Sequence, residues 1–107
     1  MTIPRRVHSL AEARAAILAA ENRTVWLESP MAAAGNLGIG WWQALLTTLA
    51  EEFPERRIEA VLDCGSAPGH ALAALRAGVS CVRVQALPEV RAALEQIAAS
   101  LGATITV

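Results

Sequence analysis

Bulky apolar residues fall in short blocks along this chain. Between the blocks, apolar positions recur every three or four residues, the period of a helix with one buried face. Ser9-Leu10-Ala11-Glu12 has the form of a capping box with Ser9 as N-cap. The helix it opens is predicted to run to about Glu21, with Leu10, Ala13, Ile17 and Leu18 inward and Asn22 as the left-handed stop. Residues 24–28, β-branched and aromatic, read as a first strand. A helix is predicted from Trp41, with Trp41, Trp42, Leu45, Leu46, Leu49, Ala50 and Phe53 on its apolar stripe and Pro54 ending it. Ile58–Asp63 is mostly apolar and reads as an interior second strand. A third helix runs from about Ala67 to Gly78, a third strand covers 81–85, and a fourth helix begins at Pro88. That helix carries Val90, Ala93, Leu94, Ile97, Ala98 and Leu101 on one side and closes at Gly102, before a last strand over 104–107.

Helices and strands therefore alternate, which predicts right-handed crossovers in a parallel sheet. The expected fold class is α/β, a single domain over 1–107. Its expected form is three-layer, a short four-stranded parallel sheet with helices between strands, flavodoxin-like or a reduced Rossmann-like domain. The competing arrangement is a half-barrel of four strand–helix units, which needs a partner to close. The longest stretch without a predicted element is 29–40. Loops of that length in compact domains are often functional.

Composition narrows the setting. Apolar residues make up 54% of the chain, 23 of them alanine, with 18% charged and a net charge of −1. No apolar run reaches the ~18 residues of a membrane span, and the segment after Arg5 and Arg6 is amphipathic, unlike the core of an export signal. A cytoplasmic protein is expected, with no membrane and no nucleic acid as partner, since no broad basic field is present. Lys and Tyr are absent, and Asp63 is the only aspartate. Without lysine there is no Schiff-base chemistry and no phosphate-binding P-loop. Cys64 is expected just past one strand and Cys81 at the start of the next, too far apart for a disulfide. Free thiols fit a reducing compartment. Two cysteines and two histidines match no structural zinc spacing, so no metal and no cofactor is expected.

In open parallel sheets ligands bind beyond the carboxyl ends of the strands. That rim is expected to carry Glu28 and Ser29, then Asp63, Cys64 and Ser66, then Gln85, with His70 in the first turn of the third helix. Gly35-x-x-Gly38-x-Gly40, leading into a helix, could turn backbone N–H groups around an anion. Ligand-binding candidates are Glu28, Ser29, Gly35, Asn36, Gly38, Gly40, Ser66, Gly69 and Gln85. Catalytic candidates are Cys64 as a nucleophile near a helix N-terminus, His70 as its base and Asp63 to orient the imidazole.

Residues 61–69, Val-Leu-Asp-Cys-Gly-Ser-Ala-Pro-Gly, locally resemble the first motif of S-adenosylmethionine-dependent methyltransferases, and the Ala67-Pro68-Gly69 ending is most similar to the RNA ribose methyltransferase branch. Outside these nine residues the pattern departs from that family: Gln85 stands where an acidic residue is expected, and four strands are read where the family has seven. Asp63 is also similar in place to the phospho-acceptor of receiver domains, but Glu28 alone represents their acidic pair and no lysine follows. No family is assigned. Adjacent Trp41 and Trp42 point about 100° apart on a helix, so one is expected in the core and the other at the rim or a subunit contact. A four-stranded sheet leaves two edges that self-association could cover. Three functions follow as expectations: binding of a small anionic ligand at the carboxyl rim, a homo-oligomeric interaction subunit, and a small enzyme using the Cys64–His70 pair.

Overall fold

The protein is described by a computed structural model over residues 4–107. Residues 1–3, part of the segment read for an export signal, lie outside the described residues. The chain runs β1 (Arg5–Arg6), α1 (Leu10–Ala19), β2 (Val25–Glu28), α2 (Ala33–Asn36), α3 (Ile39–Glu52), β3 (Ile58–Asp63), α4 (Pro68–Arg76), β4 (Cys81–Arg83), α5 (Pro88–Ser100) and β5 (Thr104–Thr106). All neighbouring strands pair in parallel, and their order across the sheet is their order in the chain. The α/β class with a parallel sheet holds, with five strands instead of four. The extra strand is β1. Arg5 and Arg6 register with Leu27 and Glu28, and the Val7 N–H donates to the Glu28 carbonyl at 2.9 Å.

Every crossover steps to the adjacent position in the same direction. Right-handed crossovers that always step one way place their helices on one face of the sheet. Burial follows that geometry. Val25, Leu27, Leu62, Val82 and Val84 form one core cluster with Ile17, Trp42, Leu49, Ala71, Leu75 and Leu94 of the helices. The alternate strand residues Trp26, Val61 and Cys81 take no part in it, because successive strand side chains point to opposite faces. The helices thus make a single layer, and the described residues form no third layer. This is the winding of a half-barrel. The strand order never reverses, as it does at the switch point of a flavodoxin-type or Rossmann-type sheet.

Local signals set most of the boundaries. Ser9 caps α1, its Oγ accepting from the Glu12 N–H at 3.1 Å. The Glu12 carboxylate accepts from the His8 N–H at 2.9 Å, one residue before the partner a capping box uses, and these His8 contacts hold its carboxyl below the usual value. The left-handed residue after α1 is Glu21 (φ 55°) and not Asn22. Leu18, expected inward, is 64% exposed, because its neighbours Ile17 and Ala13 already take the covered side of a ten-residue helix. Residues 29–40 contain the short α2, and α3 begins two residues ahead of Trp41. Trp42 is fully buried, while Trp41 is partly buried against the core with its ring centroid 6.0 Å away. No helix among the described residues is long and apolar enough to cross a membrane.

The contrast between Leu27 and Leu18 gives a direct check on this layering. Leu27 is fully buried between sheet and helices, so Leu27→Ala is expected to lower unfolding free energy by about 2–5 kcal/mol. Leu18→Ala is expected to change it by less than about 0.5 kcal/mol. Urea denaturation of both variants reads the difference.

Candidate functional site

Because all five strands are parallel, the loops after β2, β3 and β4 gather at one edge of the sheet. Asp63, last residue of β3, organises that edge. Its Oδ1 accepts from the Gly65 N–H at 2.8 Å and from the Ala32 N–H at 3.0 Å. The first bond closes an Asx turn that bends the chain into α4. The second ties the 29–40 loop to β3 and holds Ala32 in a left-handed conformation (φ 53°), which a non-glycine residue adopts only with support. Ser29, fully buried, accepts from the Asp63 N–H at 2.9 Å and donates to the Pro30 carbonyl at 3.0 Å. The loop also packs closely at two glycines. A Cβ on Gly65 would come within 3.1 Å of Ala32 Cβ, and one on Gly35 within 2.7 Å of the His70 ring.

On the helix-free face, four charged side chains meet at the same end. Glu28 Oε1 lies 3.2 Å from Arg6 Nε, and Glu28 Oε2 lies 2.7 Å from Arg83 Nη1. Asp63 Oδ2 stands 3.9 Å from Arg6 Nη2 and 3.7 Å from Arg83 Nη1. Arg83 therefore reaches from β4 across β3 to β2. The two carboxylates are the more buried partners, at 16% and 9% side-chain exposure. Charges removed from water to that extent need partners, and here each acid has two.

Two clefts flank Arg83 and Gln85. One, of about 330 Å³, is lined by Met31, Ala32, Asp63, Gly65, Ser66, Arg83 and Gln85. The other, of about 410 Å³, is lined by Arg83, Val84, Gln85, Ala86, Arg91 and Val107. Arg83 Nε donates to the Val107 carbonyl at 3.2 Å. Arg91 Nη1 makes long contacts to the Val84 and Thr106 carbonyls, 3.4 and 3.5 Å, and its Nε lies 3.7 Å from Glu95.

The structure brings Asp63, Ser66 and Gln85 to one cleft, with Glu28 and Ser29 directly behind it through Arg83 and the Asp63 N–H. It does not bring the Gly35–Gly40 run there. The N–H groups of Gly35, Asn36, Leu37 and Gly38 are taken by the carbonyls of Ala32 and Ala33 as α2 forms, so they cannot ring an anion. Gly40 and Gly69 are exposed in the first turns of α3 and α4, outside the lining of both clefts. Cys64 is buried in the core, its thiol 3.8 Å from the Leu62 carbonyl. Burial, with the Asp63 carboxylate nearby, pushes that thiol up to about 11. It stays protonated at neutral pH, which removes the nucleophile from the Cys64–His70 pairing. His70 itself is exposed and rests over Gly35. Both cysteines are free.

Arg6, Arg83 and Arg91 were absent from the candidate residues. The signal for Arg83 was its alternation with buried Val82 and Val84, which sends it to the opposite face together with Asp63. No family model matches the chain, and no curated protein matches it.

The Asp63 side chain is a lock on the long loop, and its two functions separate by substitution. Asp63→Asn keeps an acceptor for the Ala32 and Gly65 N–H groups. Asp63→Ala leaves both without a partner, which costs about 1–3 kcal/mol for a fully buried group and less for these partly buried ones. Asp63→Ala is expected to be the less stable variant and to speed hydrogen exchange at the Ala32 and Gly65 amides beyond Asp63→Asn. Equal exchange in the two variants would remove the lock.

Proposed function

We propose that this chain binds a small anionic ligand at the carboxyl edge of its sheet, using arginine side chains in place of the glycine-loop amides. The observation that carries the reading is that Arg83 and Arg91 line the same cleft, together with Gln85. A guanidinium offers five N–H donors in a planar fork suited to carboxylate and phosphate oxygens. In Arg83 the internal contacts engage Nε and Nη1, and in Arg91 they engage Nε and Nη1 as well, which leaves Nη2 of each for an incoming oxygen. Glu28 and Asp63 fix Arg83 in place, so little side-chain freedom is lost when a ligand docks. Arg91 supplies the less compensated charge, since its acidic neighbour Glu95 is 54% exposed and weakened by solvent screening.

A second reading, assembly with another copy of the chain, is favoured by the helix-free face. Parallel sheets are ordinarily covered on both faces, and half-buried Trp26 and Cys81 flank Val61 there. Two arginines and two carboxylates balance at its carboxyl end, so an identical face meets it without net repulsion. That makes a second copy the occupant this reading commits to, as a twofold contact.

Thermal unfolding in the presence of phosphate, sulfate, nucleotides, phosphosugars and simple carboxylates tests the first reading. A ligand at a hundredfold its Kd contributes ~2.7 kcal/mol, a rise in Tm on the order of 10 °C for a domain this size. Arg91→Gln is expected to abolish the rise while leaving the ligand-free Tm nearly unchanged. No rise with any anion overturns the reading. For assembly, sedimentation velocity over a concentration series is expected to show a dimer that Trp26→Glu dissociates into folded monomers. A wild-type chain that stays monomeric at the highest concentration overturns it.

A further inference from the structure

β3 is flanked unevenly. It registers with β2 over Ile58–Val61 but with β4 only at Leu62 and Asp63, so its first half meets no strand on the β4 side. Successive residues of a strand turn their N–H and C=O groups to opposite edges. The Val25 and Ser29 N–H groups donate to the Arg57 and Val61 carbonyls, whereas the Cys64 N–H donates to the Arg83 carbonyl. Ile58 and Ala60 therefore face the uncovered side. Ser80, just ahead of β4, does not close it, because its carbonyl accepts from the Thr104 N–H at 2.9 Å, on the β5 side. Unpaired edge groups of this kind are a template for another chain.

A cavity of about 280 Å³ lies at the same edge, walled by Leu46, Phe53, Ile58 and Ala60. Each of these apolar residues is only partly buried against the core. Glu59 also borders the cavity, but it alternates with Ile58 and Ala60 onto the helix-free face, where its carboxylate lies 3.4 Å from Arg57 Nε. Arg56 is a further neighbour. Its Nη2 donates to the Arg23 carbonyl at 3.3 Å, while its Nε–H is buried with no acceptor. Buried polar groups without a partner are uncommon. Ala50 borders the cavity as well, and its carbonyl lacks the usual helical partner because Pro54 has no N–H. Donors, acceptors and an apolar wall are thus collected at one open stretch of strand.

We propose that this edge takes an extended, uncharged peptide segment of a partner protein, added alongside the first half of β3 with one apolar side chain in the cavity. The site lies at the opposite end of the strands from the arginine clefts and does not rest on the anion-binding reading. A segment running parallel to β3, like every strand of this sheet, is matched bond for bond. One of its carbonyls accepts from the Ile58 N–H. The N–H two residues later donates to the Ile58 carbonyl, and the carbonyl of that residue accepts from the Ala60 N–H. The residue between them sends its side chain to the helix side, onto Leu46 and Phe53. The N-terminal end of the segment runs toward Arg56, where the Nε–H lacks an acceptor. Ile58 and Ala60 stand about 6.6 Å apart along the strand, a spacing that an extended backbone repeats and a compact small molecule does not.

The blocked dipeptide acetyl-Leu-Thr-amide carries these groups and no charge, and nitrogen–proton correlation NMR of the whole chain reads its binding. Millimolar peptide is expected to shift the Ile58 and Ala60 amide resonances and to slow their hydrogen exchange. Methylation of the threonine nitrogen in the peptide is expected to abolish both effects. Alanine in place of the peptide's leucine is expected to raise Kd about tenfold or more. Ala50→Trp, at an exposed helix position bordering the cavity, is expected to fill it and prevent binding while thermal unfolding stays nearly unchanged. No shift at Ile58 and Ala60 overturns the proposal. So does an N-methylated peptide, or leucine amide alone, that binds as well as the parent. Ile58 and Ala60 resonances that move on dilution of the chain alone identify a second copy as the occupant and overturn the peptide partner.

Discussion

Everything in this molecule depends on the direction in which a parallel sheet is wound. Each crossover here steps the same way, and connections of the usual right hand then put the helices on one face, so the strands must cover the other from their own side chains. Val61 shows how that is done. It lies outside the core cluster, yet it is only 3% exposed. On the bare face its registered neighbour on β2 is Glu28, and the next residue on that face of β3 is Asp63, both joined to Arg83. Long side chains that cross between strands lay their methylenes over apolar surface while their charged ends pair. The salt-bridge cluster is thus a roof as much as a set of charges.

A roof of this kind constrains the site. Charged pairs at partial burial contribute little net stability, but removal of one member leaves the rest unpaired in a poorly solvated place. Glu28 is the member with two close arginine contacts, and Arg83 the one that touches β2, β3 and the end of β5. Both are therefore set by the fold before any ligand is considered. Ser29 and Asp63 extend the same logic to the backbone. Through one carboxylate and one hydroxyl they join two loops that sequence separates by more than 30 residues. The long 29–40 loop is consequently a docked strap, closed down on the β3–α4 turn.

How much of this was legible follows from where the signals lie. β3 reads correctly at both ends because Ile58–Asp63 is a nearly unbroken apolar run between turn residues. The proline and glycine marks around α4 and α5 work for the same reason: they act through the backbone of one residue. β1 escaped because it is two arginines long, and its pairing is decided by β2, not by its own propensity. The position of Leu18 escaped because α1 is covered from one side only, by a single neighbouring layer, so the apolar stripe that the sequence supports is wider than the face that is buried. α2 formed where the glycine run suggested open loop, since Ala33 and Ala34 are both buried and draw the following amides into helical bonds. Strand order cannot be read from periodicity at all, and with it went the distinction between one helical layer and two.

The same gap explains why the arginines escaped notice while the acids did not. A carboxylate at the end of an apolar strand stands out in sequence, whereas Arg83 lies within a strand and Arg91 within a helix, where each looks like an ordinary solvated charge. Only the pairing of β4 beside β3 places Arg83 against Asp63, and only the return of α5 over β4 and β5 sets Arg91 near the carbonyls of Val84 and Thr106. The two then differ in kind. Arg83, neutralised by the buried Asp63 and the partly buried Glu28, contributes direction more than charge. Arg91, with one solvated partner, contributes charge more than direction. A site that divides orientation and attraction between two residues can bind without disturbing the cluster that covers the sheet, because the charge a ligand neutralises is not the one the fold requires.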